Sequence, residues 1–163
     1  MASHSIRAVQ KIPASLDAVW DFFSNAANLQ TITPPEMRFR VISKHHGDKI
    51  YPGQVIEYKV SPLWNVPLYW MTEITHVKDR EYFIDEQRKG PYRLWHHQHH
   101  FREIPGGVEM TDIVHYRNPA IIGGMANLLF VRGRLKKIFE FRFRKVEEVF
   151  GKWNDSAMMI ELS

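Results

Sequence analysis

The residues best suited to chemistry gather in His96-His97-Gln98-His99-His100, inside a stretch from Leu94 to Arg102 that alternates as a strand. Successive strand side chains point to opposite faces. Trp95, His97, His99 and Phe101 therefore share one face, and Leu94, His96, Gln98, His100 and Arg102 share the other. The aromatic neighbours make the first face the inward one. The same alternation in Val108 to Arg117 sets Val108, Met110, Asp112, Val114 and Tyr116 together, an apolar face whose only acid is Asp112. Phe83, Asp85 and Gln87 form a third such set. An inward histidine beside a carboxylate suits general acid–base chemistry near neutral pH. The structural alternative is that Asp85, Asp112, His97, His99 and two helix arginines, Arg132 and Arg142, satisfy one another and brace the sheet. Two imidazoles and one carboxylate also suit zinc or iron. No HExxH or similar helical spacing accompanies them, so no metal site and no cofactor are expected.

Other chemistries lack their residues. There is no GxSxG elbow, no cysteine for a thiol nucleophile, and no glycine-rich phosphate loop; Gly106-Gly107 and Gly123-Gly124 suit a hairpin and a helix boundary. At 163 residues, 44% hydrophobic and 25% charged, the chain reads as one domain over 1–163 with a real core. No run reaches the ~18–20 apolar residues of a membrane span. The N-terminus MASHSIRAVQ lacks the regions of a signal peptide, and zero cysteines fit a reducing compartment, so a cytoplasmic location is expected. The formal charge is +4, with Arg132, Arg134, Lys136, Lys137, Arg142, Arg144 and Lys145 on one predicted helix. Those cations read as a solvated face or as a surface for an acidic protein partner. Nucleic acid is not expected, because no exposed strand interleaves aromatics with cations.

The elements that must position these residues follow from periodicity. Ser5 to Ile12 is a strand ended by Pro13, and Ser15 caps a helix whose Leu16, Val19, Trp20 and Phe23 form one face. A second short helix spans Ala26 to Gln30, before Pro34-Pro35. Strands follow at Met37–Lys44, Gln54–Ser61, Val66–Val77, Glu81–Gln87, Leu94–Arg102 and Val108–Arg117, with turns at Gly47-Asp48, Lys89-Gly90-Pro91 and Pro105-Gly106-Gly107. A long helix then runs from Gly123 to Phe150, with Asn118-Pro119 as a cap before it and Gly151 as its left-handed stop. Met125, Leu128, Val131, Leu135, Phe139, Phe143, Val146, Val149 and Phe150 fall in one apolar stripe. Arg132 and Arg142 lie inside that stripe, and Arg142 is expected to pair with Asp112 or Asp85, since a buried guanidinium cannot shed its charge. The tail from Lys152 to Ser163 either frays, as a disordered end, or adds a small element.

The frame of an N-terminal strand, LDAVWDFF, NLQTITPP, WMTEI, FIDEQRKGPYRLWHHQHHF, TDIVHY and IFEFR resembles the START-like (helix-grip, SRPBCC) superfamily. Within it, the chain is most similar to the polyketide cyclase/dehydrase and lipid-transport group. The resemblance implies an α+β helix-grip fold: a curved antiparallel sheet of about seven strands around the C-terminal helix, with two short helices after the first strand. It also implies a cavity between sheet and helix, and non-covalent binding or transport of a small hydrophobic molecule such as a lipid, isoprenoid or polyketide. Combined with the facing of the strands, this makes Tyr58, Trp70, Thr72, Asp85, Trp95, His97, His99, Phe101, Asp112, Tyr116, Leu135, Phe139 and Arg142 the expected ligand-binding set. A cyclase, aromatase or dehydratase is the alternative; His97 or His99 would act as acid–base, Asp112 or Asp85 would orient it, and Arg142 would steady an enolate. The apolar loop residues Leu63, Trp64, Val66 and Pro67, and the pair Pro91-Tyr92, are candidates for a lid.

Overall fold

The computed structural model describes residues 3–43, 49–61, 66–117, 125–154 and 158–163. The chain runs β1 (His4–Ile12), α1 (Leu16–Phe23), 3₁₀ turns at Ala26–Gln30 and Pro35–Met37, β2 (Arg40–Val41), β3 (Gln54–Val60), β4 (Leu68–Lys78), β5 (Tyr82–Lys89), β6 (Leu94–Ile104), β7 (Gly107–Arg117), α2 (Met125–Phe150) and β8 (Met159–Leu162). The strands form one sheet in the order β2-β3-β4-β5-β6-β7-β1-β8, and every neighbouring pair is antiparallel. This is the helix-grip arrangement, an α+β fold with eight described strands.

Local chemistry explains the element boundaries. Ser15 Oγ accepts from the Ala18 amide at 3.3 Å, and Asp17 sits in the first turn of α1, where the helix dipole favours an acid. α1 then buries Val19, Trp20 and Phe23. Trp20 meets Phe101 edge-on at 5.4 Å, a favoured aromatic geometry, and fastens α1 to β6. At the far end of α2, Gly151 takes φ +95°, which only glycine adopts without strain, and its amide donates to Glu147 O at 2.9 Å. Val131, Leu135 and Phe139 of α2 pack with Ile6, Ala8, Val114 and Tyr116, while Val146 joins Ile12, Trp20 and Met110. Gln10 Nε2 also donates to Phe143 O at 3.0 Å. The helix therefore lies along β1 and β7 and leaves the face of β3 to β6 for other partners.

Three expectations are corrected, and one left open is decided. Among the described residues of the strand expected at Met37–Lys44, ladder pairing forms at Arg40–Val41 and Ile42 N still donates to Glu57 O at 2.8 Å, while Pro34-Pro35 draws Pro35–Met37 into a 3₁₀ turn. Of the two alternatives for the tail, the small element is the one present, a strand at Met159–Leu162. Met158, Ile160 and Leu162 pack on the cluster of Ile6 and Val114, and Ile6 to Val9 pair with Leu162 to Met159. Val149 is 46% exposed although it falls in the predicted stripe. Arg132 is only half-buried, unlike Arg142. Lys136 and Lys145 pair within the helix with Glu140 and Glu148, as on a solvated helix face. Among the described residues no helix is long and apolar enough to cross a membrane. The expected turn at Gly47-Asp48, the loop residues Leu63 and Trp64, the cap at Asn118-Pro119, the Gly123-Gly124 boundary and the side chains of Met125 and Leu128 lie outside the described residues.

Candidate functional site

Between the open part of the sheet and α2 lies a cavity of about 190 Å³. β3 contributes Ile56, Tyr58 and Val60; β4 contributes Trp70, Thr72 and Ile74; β5 and β6 contribute Phe83, Asp85, Trp95, His97 and His99. α2 closes one side with Leu135, Ile138, Phe139 and Arg142, and the end of α1 with the turns after it closes the other through Phe22, Phe23, Leu29, Ile32, Met37 and Phe39. The period-2 burial of β3, whose Gln54, Ile56, Tyr58 and Val60 are buried, aims this set inward.

The aromatic end is organised by one hydroxyl. Thr72 Oγ1 accepts from Trp70 Nε1 at 3.1 Å and shares a 2.5 Å hydrogen bond with Tyr58 OH. Tyr58 and Trp70 stack at 5.9 Å, and Trp95 meets Trp70 edge-on at 5.4 Å. Burial pushes the Tyr58 hydroxyl pKa far up, so it stays a neutral donor. Tyr92 enters this wall from the β5–β6 turn and packs 4.9 Å from Trp95. The Gln87 amide fixes that turn, donating from Nε2 to Tyr92 O at 2.6 Å and accepting from the Tyr92 amide at 3.2 Å. Gly90 makes room, because a Cβ there would come within 2.4 Å of Gln87 Oε1.

The polar end is a buried square of two imidazoles and two carboxylates. Register places Asp85 opposite His97 and Asp112 opposite His99. His97 Nε2 donates to Asp112 Oδ1 at 3.0 Å. His99 directs Nδ1 to Asp112 Oδ1 at 2.8 Å and Nε2 to Asp85 Oδ2 at 2.9 Å. A neutral imidazole has only one N–H. With a carboxylate against each ring nitrogen, His99 is placed to favour the imidazolium form. Burial opposes that charge, but the bonds to Asp112 and Asp85 outweigh it and raise the His99 pKa. Burial and the neighbouring His99 charge hold the His97 pKa down, over the pull of Asp112 and Asp85. His97 thus stays neutral, with its bare Nδ1 3.6 Å from Asp85 Oδ2.

Arg142, 8% exposed, completes the charge balance. Its Nη2 lies 3.4 Å from both Asp112 Oδ1 and His99 Nδ1. The ion pair with Asp112 supplies the charge compensation for the guanidinium. The Arg142 guanidinium also stands 5.2 Å over the Phe23 ring. Burial alone would raise both acids. For Asp112 the Arg142 charge and the imidazole hydrogen bonds win and hold it well below the usual range. For Asp85 the His99 hydrogen bond and the charges of the histidines and Arg142 outweigh burial and lower it. Two carboxylates against one imidazolium and one guanidinium leave the cluster neutral, the condition under which buried charges persist.

Of the expected ligand-binding residues, Tyr58, Trp70, Thr72, Asp85, Trp95, His97, His99, Leu135, Phe139 and Arg142 line the cavity. Phe101, Asp112 and Tyr116 do not. Phe101 is packed under Trp20 and Phe23, Asp112 lies behind the histidines, and Tyr116 is covered by α2. Sequence reading missed Phe22, Leu29, Ile32, Met37 and Phe39, which come from short turns without a usable period; Ile138, three residues from Leu135, was the accessible signal. Of the lid candidates within the described residues, Tyr92 lines the cavity and Val66 is 51% exposed.

No family model and no curated protein matches the chain. Solved structures do. A START superfamily protein from Mycobacterium smegmatis is 10% identical with a TM-score of 0.65, over 90% of this chain and 97% of that one. A protein from Chromobacterium violaceum is 12% identical with a TM-score of 0.68, over 91% and 98%. The protein Ara h 8.0201 is 12% identical with a TM-score of 0.61, over 90% and 99%. At such identities the likeness carries backbone architecture. With its eight-stranded sheet and its long helix lying on β1 and β7, the chain has the START-like, helix-grip fold.

Proposed function

We propose that this protein binds a small, mainly apolar molecule non-covalently in the cavity between sheet and α2. The observation that carries the reading is the cavity itself, with an aromatic wall at one end and a satisfied polar cluster at the other, the pattern of a small-molecule site. A void of ~150 Å³ takes a benzene molecule. At about 190 Å³ the enclosed part of the ligand is then one ring or a short isoprenoid unit, and a longer lipid or polyketide extends beyond it. The START-like fold supports the same reading. Native mass spectrometry of protein purified from its own host, followed by solvent extraction, tests it. We expect a non-covalent adduct that is lost on denaturation and quenches Trp70 and Trp95 fluorescence on return, and that Ile138→Trp, which fills the cavity, excludes. Protein that carries no adduct and takes up no apolar fluorescent probe refutes the reading.

One observation favours a second reading, a cyclase- or dehydratase-type enzyme. His97 donates from Nε2 to Asp112 and keeps Nδ1 bare on the cavity wall, the arrangement of an oriented general base. Under this reading His97→Gln abolishes turnover of an identified substrate and leaves its binding intact. Equal turnover by the variant removes His97 from the chemistry.

A further inference from the structure

The square of side chains has a polarity that bracing does not require. His97 Nδ1 and His99 Nε2 both turn towards Asp85 Oδ2, at 3.6 and 2.9 Å. Their other nitrogens, His97 Nε2 and His99 Nδ1, both turn towards Asp112 Oδ1, at 3.0 and 2.8 Å. The Asp85 side faces the cavity, and the Asp112 side faces away from it. One ligand atom from each of Asp85, His97 and His99 lies within 4.8 Å of the others. Metal–ligand bonds of ~2.0–2.2 Å set neighbouring ligand atoms ~3–3.5 Å apart. The 2.9 and 3.6 Å separations from Asp85 Oδ2 approach that spacing, and the remaining pair lies within 4.8 Å, so that binding draws the two rings together.

We propose that Asp85, His97 and His99 form a three-ligand site for a divalent first-row transition-metal ion, zinc or iron(II), open to the cavity. Two imidazoles and a carboxylate are the donor set such ions prefer, and three protein ligands leave a position for a bound molecule. Ligating histidines characteristically give their second nitrogen to a carboxylate, which fixes ring orientation. Asp112 does this for both rings through one oxygen, and Arg142 at 3.4 Å fixes Asp112 in turn. The backbone supplies the rest: alternation aims both rings to one face of β6, and register sets the acids directly opposite them on β5 and β7. A divalent ion with neutral imidazoles, two carboxylates and Arg142 leaves one net positive charge. The open position therefore takes an anionic oxygen, the carboxylate, enolate or phenolate of an otherwise apolar molecule. The site stands on its ligands and does not depend on the cavity's occupant being found.

The test uses the full chain, stripped with a chelator and then titrated with Co²⁺ alone and with Zn²⁺ alone. We expect one equivalent of Co²⁺ to bind with a visible ligand-field spectrum, and Zn²⁺ to displace it. His97→Ala and Asp85→Ala abolish that spectrum, whereas His100→Ala on the outer face keeps it. Asp112→Asn weakens the affinity ~10–100-fold, the usual cost of losing an orienting carboxylate. Circular dichroism identifies any variant that fails to fold, and the wild-type titration decides the matter without the variants. Folded wild type that binds neither ion at one equivalent overturns the proposal. So does stoichiometric binding that survives both His97→Ala and Asp85→Ala. Because no organic ligand enters the assay, a negative result leaves the hydrophobic-ligand reading standing.

Discussion

Held metal-free with a chelator, the protein should have a stability maximum near pH 6.5 from its two cavity histidines alone. The folded cluster keeps one proton between the rings beyond the neutral pair, because the His99 pKa is raised and the His97 pKa is lowered from the ordinary 6.5. The unfolded chain also holds one, on average, at pH 6.5, where each ring is half-protonated. Below that pH the unfolded chain takes a second proton that His97 refuses in the fold, so stability falls as pH falls. Above it the unfolded chain loses its proton while His99 keeps its own; the stability His99 contributes, fully present below 6.5, is lost as pH rises towards its folded pKa. The limiting slope is ~1.4 kcal/mol per pH unit for one proton. Stability therefore falls on both sides of pH 6.5, on the acid side through the lowered His97 pKa and on the alkaline side through the raised His99 pKa. Urea midpoints at about pH 5, 6.5 and 8, at constant m, read this directly. Asp85 and Asp112, held low, contribute stability that is lost only as pH falls below the usual carboxylate range, outside the window. His100, whose pKa is also lowered by burial, steepens only the acid side. Arg142→Met supplies the discriminating variant. Without the guanidinium the cluster is one charge too negative, a second proton on His97 restores balance, and the acid-side loss should shrink. Stability that rises steadily from pH 5 to 8, unchanged in form by Arg142→Met, would refute the one-proton assignment.

Thr72→Val should cost ~1–3 kcal/mol, because Tyr58 OH and Trp70 Nε1 both lose their partner in a buried wall; a urea midpoint shift worth under ~0.5 kcal/mol counts against that hydroxyl as their organiser. Gly107→Ala should cost ~3 kcal/mol or more, since its Cβ would lie 2.1 Å from Ile12 O and 2.9 Å from the Trp153 ring, and an unchanged melting temperature would contradict the close approach. Deleting residues 158–163 uncovers the β1 edge from Ile6 to Val9. Size-exclusion chromatography should then show association absent from the full chain, and a truncated protein with unaltered melting and elution argues against β8 as an edge cover.

What the sequence made legible, and what it hid, follows from the range over which each signal acts. Alternation acts within a strand, and β3, β4, β6 and β7 each bury one face more deeply than the other. Trp95, His97 and His99 could thus be aimed inward from their neighbours alone, as could Asp112 and Asp85. Arg142 could be aimed by helical angle, because α2 stays on the sheet through Val146. Val149 failed by the same rule: a stripe is a direction, and the last turn of α2 keeps contact through Phe150 against Phe22 at 5.3 Å while Val149 points to solvent. Register lay beyond the reach of periodicity. Whether Asp85 or Asp112 stands opposite a given imidazole depends on the offsets of β5 against β6 and of β6 against β7, set by their hairpins. Yet register is what turns the four side chains into a square with a cavity side and a back.

The cavity itself was the least legible feature, for a physical reason. Phe101 and Tyr116 face the same way as Trp95 and His97, and nothing in their strands separates them. The difference lies in what covers them: α1 sits on Phe101 and α2 on Tyr116, and neither covers the wall from Tyr58 to Trp95. A pocket is thus the part of an inward face that its helices fail to fill. Here the remaining gap is closed by Leu29, Ile32, Met37 and Phe39, side chains carried on short turns whose order no period of 2 or 3.6 encodes. The strands fix where polar groups meet the cavity, and those turns fix how much room is left beside them. In the proposed ligand-binding reading, polar recognition falls to Asp85, His97 and Arg142, and the size limit falls to the segment between α1 and β2.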